Sequence, residues 1–276
     1  MRAGCWQDKH PHYAKMGDGL KFIALPFLGL AALWTAPAIA QDSPDGWIVQ
    51  ISPYLWATGL DGDVSPFRSG PTVSIEKDFS EVMDSLNLGG FINFWARNGR
   101  FVLSGDMMFV DTTDSKAGTL PALPGLPAGL PVSGDVDTTQ FMATVQGGYR
   151  FHDAPGLTVD GLAGLRFWHI SNELTVRALG QSRGFKESFS WVDPVIGMRA
   201  LARISERWSF QAQADVGGFG MGSDQTWSAL GTFNYIITDN GSVSFGYKIM
   251  DVDYDDDGHV FDARLQGPVI GATWRF

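Results

Sequence analysis

The chain closes on Pro268-Val269-Ile270-Gly271-Ala272-Thr273-Trp274-Arg275-Phe276, and this stretch decides the fold. Extended backbone sends alternate side chains to opposite faces. Ile270, Ala272, Trp274 and Phe276 therefore share one face, and Gly271, Thr273 and Arg275 the other. An apolar row backed by a polar row is what a strand needs when lipid lies outside it and a lumen inside. Working back from it, the expected fold class is all-β: a transmembrane antiparallel up-and-down β-barrel of ten strands, with eight or twelve as alternatives.

The opposite end fits an exported chain. Arg2, Lys9, Lys15 and Lys21 precede an apolar run over 22–34, and Ala38-Ile39-Ala40 offers the small residues of a cleavage site before Gln41. Residues 1–40 are read as a signal peptide, with Met16 a possible true start, and 41–276 as a single barrel domain. Cys5, the one cysteine, lies in the segment to be removed, so the exported part has no disulfide and no thiol nucleophile.

Removing that segment takes away two acidic and four basic residues, leaving 28 Asp+Glu, 16 Lys+Arg and a formal charge of −12. A nucleic-acid partner would need a basic face, and this charge argues against one. No stretch after residue 40 has the roughly 18 uncharged apolar residues of a membrane helix. In lipid, a closed barrel is the remaining way to satisfy every backbone polar group.

Ten alternating segments are readable, near 47–60, 87–98, 101–113, 138–152, 157–172, 187–204, 207–220, 225–238, 242–253 and 260–276. Short turns such as Asn98-Gly99-Arg100 and Asp239-Asn240-Gly241 alternate with long connections over 61–86, 114–137 and 178–186, as periplasmic turns alternate with outer loops. The Leu-Pro repeat Leu120–Pro131 cannot join a ladder, since proline lacks the donor. Ser80 as N-cap, with Val82, Met83 and Leu86 in helical spacing, predicts one short amphipathic helix at the barrel mouth.

Parity assigns the chemistry. Arg97, Arg150, Arg166, Arg199, Arg203, Lys248 and Arg275 point into the lumen with Asp106, Asp160, Asp193 and Asp215, beside Trp56, Trp95 and Trp168. A ten-stranded interior is narrow, so these charges pair and fill it, giving a structural and surface-interaction protein. The alternative is a narrow pore, which the cation excess would bias toward anions. Asp253, Asp255, Asp257 and Gly258 imitate the start of a calcium loop, but Arg264 stands where its glutamate belongs, and a solvated acidic turn is the plainer reading. No cofactor is expected.

Two catalytic patterns need weighing. His169-Ile170-Ser171-Asn172 is similar to the H-x-S-N element of outer-membrane lipid A deacylases, with His169 as base, Ser171 as nucleophile and Glu173 or Glu187 as the acid. Asp61-Gly62-Asp63 and Asp257-Gly258-His259 resemble the D-x-D and D-x-H pairs of omptin proteases.

Ser52–Gly62, Gly147–Phe151, Trp191–Arg199 and the closing strand together resemble a family of small, porin-like bacterial outer-membrane β-barrel proteins. The resemblance spans essentially the whole exported part. It implies a fold and a location, with outer-membrane lipid and lipopolysaccharide as surroundings, but neither ligand nor reaction nor oligomeric state. Trp274 and Phe276 likewise resemble the terminal signal read by the barrel assembly machinery.

Overall fold

The computed structural model of the chain describes residues 46–68, 70–119 and 131–276. The expected signal segment with its cleavage site, and the Leu-Pro repeat through Leu130, lie outside them. The elements are β1 (Ile48–Trp56), β2 (Gly59–Ser65), β3 (Val73–Lys77), α1 (Phe79–Ser85), β4 (Leu86–Asn98), β5 (Phe101–Thr119), β6 (Pro131–Ala154), β7 (Leu157–Ala178), β8 (Gln181–Arg203), β9 (Trp208–Gly218), β10 (Gln225–Ile236), β11 (Gly241–Asp256) and β12 (His259–Arg275).

From β4 to β12 each strand pairs antiparallel with the next, and β1 joins both β4 and β12. The seam is tied by Val49 and Phe276, whose backbones exchange hydrogen bonds of 2.9 and 3.2 Å. Ten strands thus close the wall, because β2 and β3 are not separate staves. The register on β12 runs without a slip from Trp56↔Val269 to Gly59↔Gln266, making β1 and β2 one long strand.

On its other edge Tyr54 faces Phe91 while Leu60 faces Lys77. Six residues along one strand oppose fourteen along its partner. The eight extra residues, 78–85, bulge out as α1 with its cap. Asp78, rather than Ser80, is the N-cap: its carboxylate accepts from the Glu81 N–H at 3.0 Å while Glu81 reaches back to the Asp78 N–H.

All three expected loops are therefore largely strand where described: 114–119 extend β5 and 131–137 begin β6, and Pro131, expected outside any ladder, pairs with Thr119 as the first residue of its strand, where a missing donor is tolerated. Residues 61–86 carry most of β2, all of β3 and α1; β2 is held by pairing to β12 despite weak β propensity in Gly59–Asp63, and β3 by pairing to β2. The connection after Ala178 shrinks to Leu179-Gly180, with φ of 55° and 75°. Positive φ at both positions is the two-residue hairpin geometry that matches strand twist.

The outer surface carries an apolar belt. Leu103, Val145, Leu165, Phe167, Ile196 and Ile270 are all exposed on it. Phe210, Phe233 and Phe245 stand side by side across β9, β10 and β11, with ring centroids 4.9 and 5.7 Å apart, and pin that register. On β7 the belt runs from Leu157 to Phe167, about 25 Å at usual strand rise and tilt. Phe101 against Tyr149 and Trp208 against Tyr235 mark its lower edge beside the short turns. No described helix is long and apolar enough to cross a membrane. A closed barrel inside an apolar belt is an integral membrane barrel of the outer-membrane type.

The wall is uneven in height. β9 stops at Gly218 and β10 starts at Gln225, while β8 begins far above at Gln181 and β11 runs on to Asp256. Over this notch aromatic rings of β8 pack directly on those of β11 and β12: Trp191 on Tyr254 at 4.1 Å and Phe189 on His259 at 4.3 Å.

Candidate functional site

All eleven lumen charges assigned by parity stand at inward-facing register positions. Three carboxylates gather four of the cations. Near the short turns, Arg150 Nε donates to Asp160 Oδ1 at 2.7 Å, and Arg199 Nη1 lies 3.6 Å from Asp160 Oδ2. The two guanidinium groups lie over the Trp95 ring at 5.6 and 4.8 Å. Higher up, Lys248 Nζ meets Asp106 Oδ2 at 2.5 Å; the Tyr54 hydroxyl accepts from Lys248 at 2.8 Å and donates to Asp106 at 2.9 Å. Opposite them, Arg166 donates to Asp215 at 2.7 Å and to the hydroxyls of Thr144 and Thr226, each at 3.0 Å.

The remaining four depart from simple pairing. Asp193 is fully buried, yet its donors are neutral: Trp191 Nε1, the Ser223 N–H and the Ser223 hydroxyl, at 2.7–3.0 Å. That carboxylate holds the β9–β10 connection in the notch. A Cβ on Gly222 would stand 2.5 Å from the Val192 carbonyl oxygen, so glycine is what fits there. Arg97, Arg203 and Arg275 sit near the short turns and have no carboxylate partner among the described residues. Arg97 donates to the Gly99 carbonyl instead.

Sequence reasoning placed Trp56 and Trp168 in the lumen but missed the rest of the layer above. Met108, Met142, Trp168, Met250, Val252 and Thr226 are at most 1 % exposed, and they come from β5, β6, β7, β11 and β10. Trp56, on β1, joins the same cluster. Side chains from these strands pack into one buried layer across the lumen. Methionine fills such irregular space readily, and its inward parity was the available signal. Below this layer a polar vestibule of about 140 Å³, lined by Gln50, Ser52, Gln211, Asn234 and Arg275 among others, lies toward the short turns.

The other expected sites come apart. His169 faces outward at the upper edge of the belt, but its Nδ1 is hydrogen-bonded to Ser190 Oγ at 2.7 Å, not to Ser171. The register sets His169 opposite Ser190, while Ser171 lies two residues on, about 7 Å along the strand, opposite Ser188. Glu173 is paired with Lys186 and Glu187 with Arg68, so neither orients the imidazole. Asp253 and Asp255 lie on extended β11 and Asp257 in the turn, paired with Arg68, so they do not wrap around a point. No group of three metal-ligating side chains occurs among the described residues. Closure does bring β2 beside β12, but Asp61 and Asp63 are exposed while His259 is buried, on opposite faces of the wall.

No protein-family model matches the chain, and no curated protein matches it in sequence. Its structural neighbours are bacterial outer-membrane barrels. They include the outer membrane protease OmpT of Escherichia coli, at 11 % identity over 85 % of this chain and 98 % of that one, with a TM-score of 0.48. The translocator domain of the autotransporter NalP from Neisseria meningitidis shares 10 % over 85 % and 90 %, at 0.41. The attachment invasion locus protein Ail of Yersinia pestis shares 12 % over 84 % and 99 %, at 0.33. Likeness of this degree carries nothing about reaction, ligand or partner.

Proposed function

We propose that this chain is an outer-membrane barrel with a closed lumen, serving a structural and surface-interaction role and not solute passage. The buried layer of Met108, Met142, Trp168 and Met250 carries the reading, supported by the paired charges beneath it. Outer-membrane placement is supported by the apolar belt, the short-turn and tall-loop asymmetry, the signal-like segment 1–40 and the outward-facing Trp274 and Phe276. On the tall side of the wall, acidic groups such as Asp111, Asp137 and Asp262 face outward, where divalent cations would bridge them to lipopolysaccharide phosphates.

Planar-bilayer recording of the refolded barrel tests this. The expected trace is flat, or holds rare small events. Stable ohmic openings would overturn the closed reading, and anion selectivity in them would establish the narrow pore that Arg97, Arg203 and Arg275 at one mouth would favour.

A further inference from the structure

Above the buried layer the two faces of β5, β6 and β7 exchange character without a register slip between them. On β7, Leu165 and Phe167 face out and Arg166 faces in; higher up, Ser171, Glu173 and Thr175 face out and Ile170 and Leu174 face in. On β5 and β6, Asp111 and Asp137 turn outward while Val110 and Val136 turn inward. Polar-out and apolar-in is the pattern of a protein core, and cores are packed to crystal density. Here a chamber of about 160 Å³ remains, lined mostly by carbon from Leu60, Val82, Val110, Val136, Ile170 and Phe261.

Two further observations bear on what fits it. The polar groups on its lining are mostly occupied by the protein. Lys77 Nζ is held by both oxygens of Asp114 at 2.6 Å, Thr138 donates to Asn172, and Asn172 donates to the Pro66 carbonyl. An ionised ligand would have to displace them. The chamber also borders the wall's one composite stave: 55–59 have no ladder partner on the side where α1 bulges, and Val82 and Ser85 of α1 line the chamber there. Leu55, in the same interval, is exposed on the lipid side. The interruption therefore sets the chamber against the upper edge of the belt, where apolar molecules concentrate.

We propose that this chamber is a binding site for one small, uncharged hydrocarbon-like molecule of about the size of a single aromatic ring. An apolar protein cavity of about 150 Å³ stays dry and takes up benzene, which sets that scale. The aliphatic and aromatic lining supplies dispersion contact, and the satisfied polar rim selects against charge.

The test is fluorine NMR of fluorobenzene added to the full barrel in lipid nanodiscs, with empty nanodiscs as reference. A bound resonance absent from empty discs is expected. Val136→Trp, which fills the chamber, should weaken it at least tenfold while heat-modified gel mobility shows that the barrel still folds. Should that variant fail to fold, Ile75→Trp on β3 fills the same space from the rim. The anionic probe 4-fluorobenzoate should give no bound resonance. The proposal is overturned by absence of a bound signal in the wild type at the aqueous saturation of fluorobenzene, by a signal that survives the filling variant, or by tighter binding of the benzoate.

Discussion

Replacing Asp215 with Asn removes one charge from the middle of the lumen and almost nothing from its shape. Arg166 and Asp215 are 1 % and 5 % exposed, so the guanidinium left behind cannot recover its hydration without water entering the barrel. Asp215 Oδ1 accepts from Arg166 at 2.7 Å and Oδ2 accepts from Ser228 at 2.6 Å. Bonds to a charged group contribute roughly 1.5–3 kcal/mol each, and orphaning one member of a buried pair costs about 3–5 kcal/mol. Asn keeps an amide oxygen for Arg166 and an amide N–H for Ser228, so the expected loss is that of the orphaned charge, about 3–5 kcal/mol. Urea unfolding of the barrel in phospholipid vesicles, followed by tryptophan fluorescence, would read it. Removing both charges together, as Arg166→Met with Asp215→Leu, should return stability to within about 1 kcal/mol of the wild type, since apolar replacement of a buried pair is close to neutral. If Asp215→Asn alone costs less than 1 kcal/mol, the pair is solvated. The lumen is then wet at this height, and the buried pairing that supports a filled lumen is lost.

Three other outcomes are expected. Deleting Phe276 removes both seam bonds to Val49 and an exposed aromatic, so heat-modifiable barrel recovered from membranes should fall several-fold, whereas Thr273→Ser should leave it unchanged; equal effects would refute the seam's importance. Mass spectra of lipid A from expressing cells should be identical for wild type, His169→Asn and Ser190→Ala, because the imidazole has no orienting carboxylate among the described residues; loss of an acyl chain in the wild type alone would establish a hydrolase. The Ser80 hydroxyl and Glu81 N–H hold the Asp78 carboxyl below its ordinary range, so its cap favours the folded helix above the unfolded pKa and fades as pH falls through the lower folded one. Hydrogen exchange at Val82 and Met83 should stay slow at pH 5 and quicken only well below about pH 4; quickening between pH 7 and 5 would contradict the sign.

Much of the barrel was legible because a strand repeats every two residues, and a repeat that short survives errors at its ends. Arg166 could be placed in the lumen from the alternation of Leu165 and Phe167 alone, and the tall strands only extend the same parity. What stayed hidden depends on contacts remote in sequence. Gly59-Leu60-Asp61-Gly62-Asp63 has the composition of a loop, and becomes strand only because β12 offers the other half of its ladder. The eight-residue bulge at α1 is visible only when the partners of Tyr54 and Leu60 are both known. Ser190 as the neighbour of His169 follows from the register across β7 and β8, which Leu179-Gly180 sets; reading 178–186 as a long loop loses that register.

The exchange of faces is the one large feature that lay in plain view. Along β7 the outward row reads Leu165, Phe167, His169, Ser171, Glu173, and the inward row Arg166, Trp168, Ile170, Asn172, Leu174. A strand crossing only lipid keeps its apolar row on one side throughout, and a strand wholly in water keeps it on the other. A strand that leaves the bilayer while still part of a closed wall must do both, and its apolar row changes sides where the outside medium changes from lipid to water. His169 sits at that crossing, where a half-polar ring suits the outer surface. The same crossing fixes the chemistry inside. Beneath it the lumen can carry charges, because apolar stability comes from the lipid-facing belt. Above it the outer surface must be polar, so apolar side chains have only the interior left, and a barrel of this width holds them with room for one small guest.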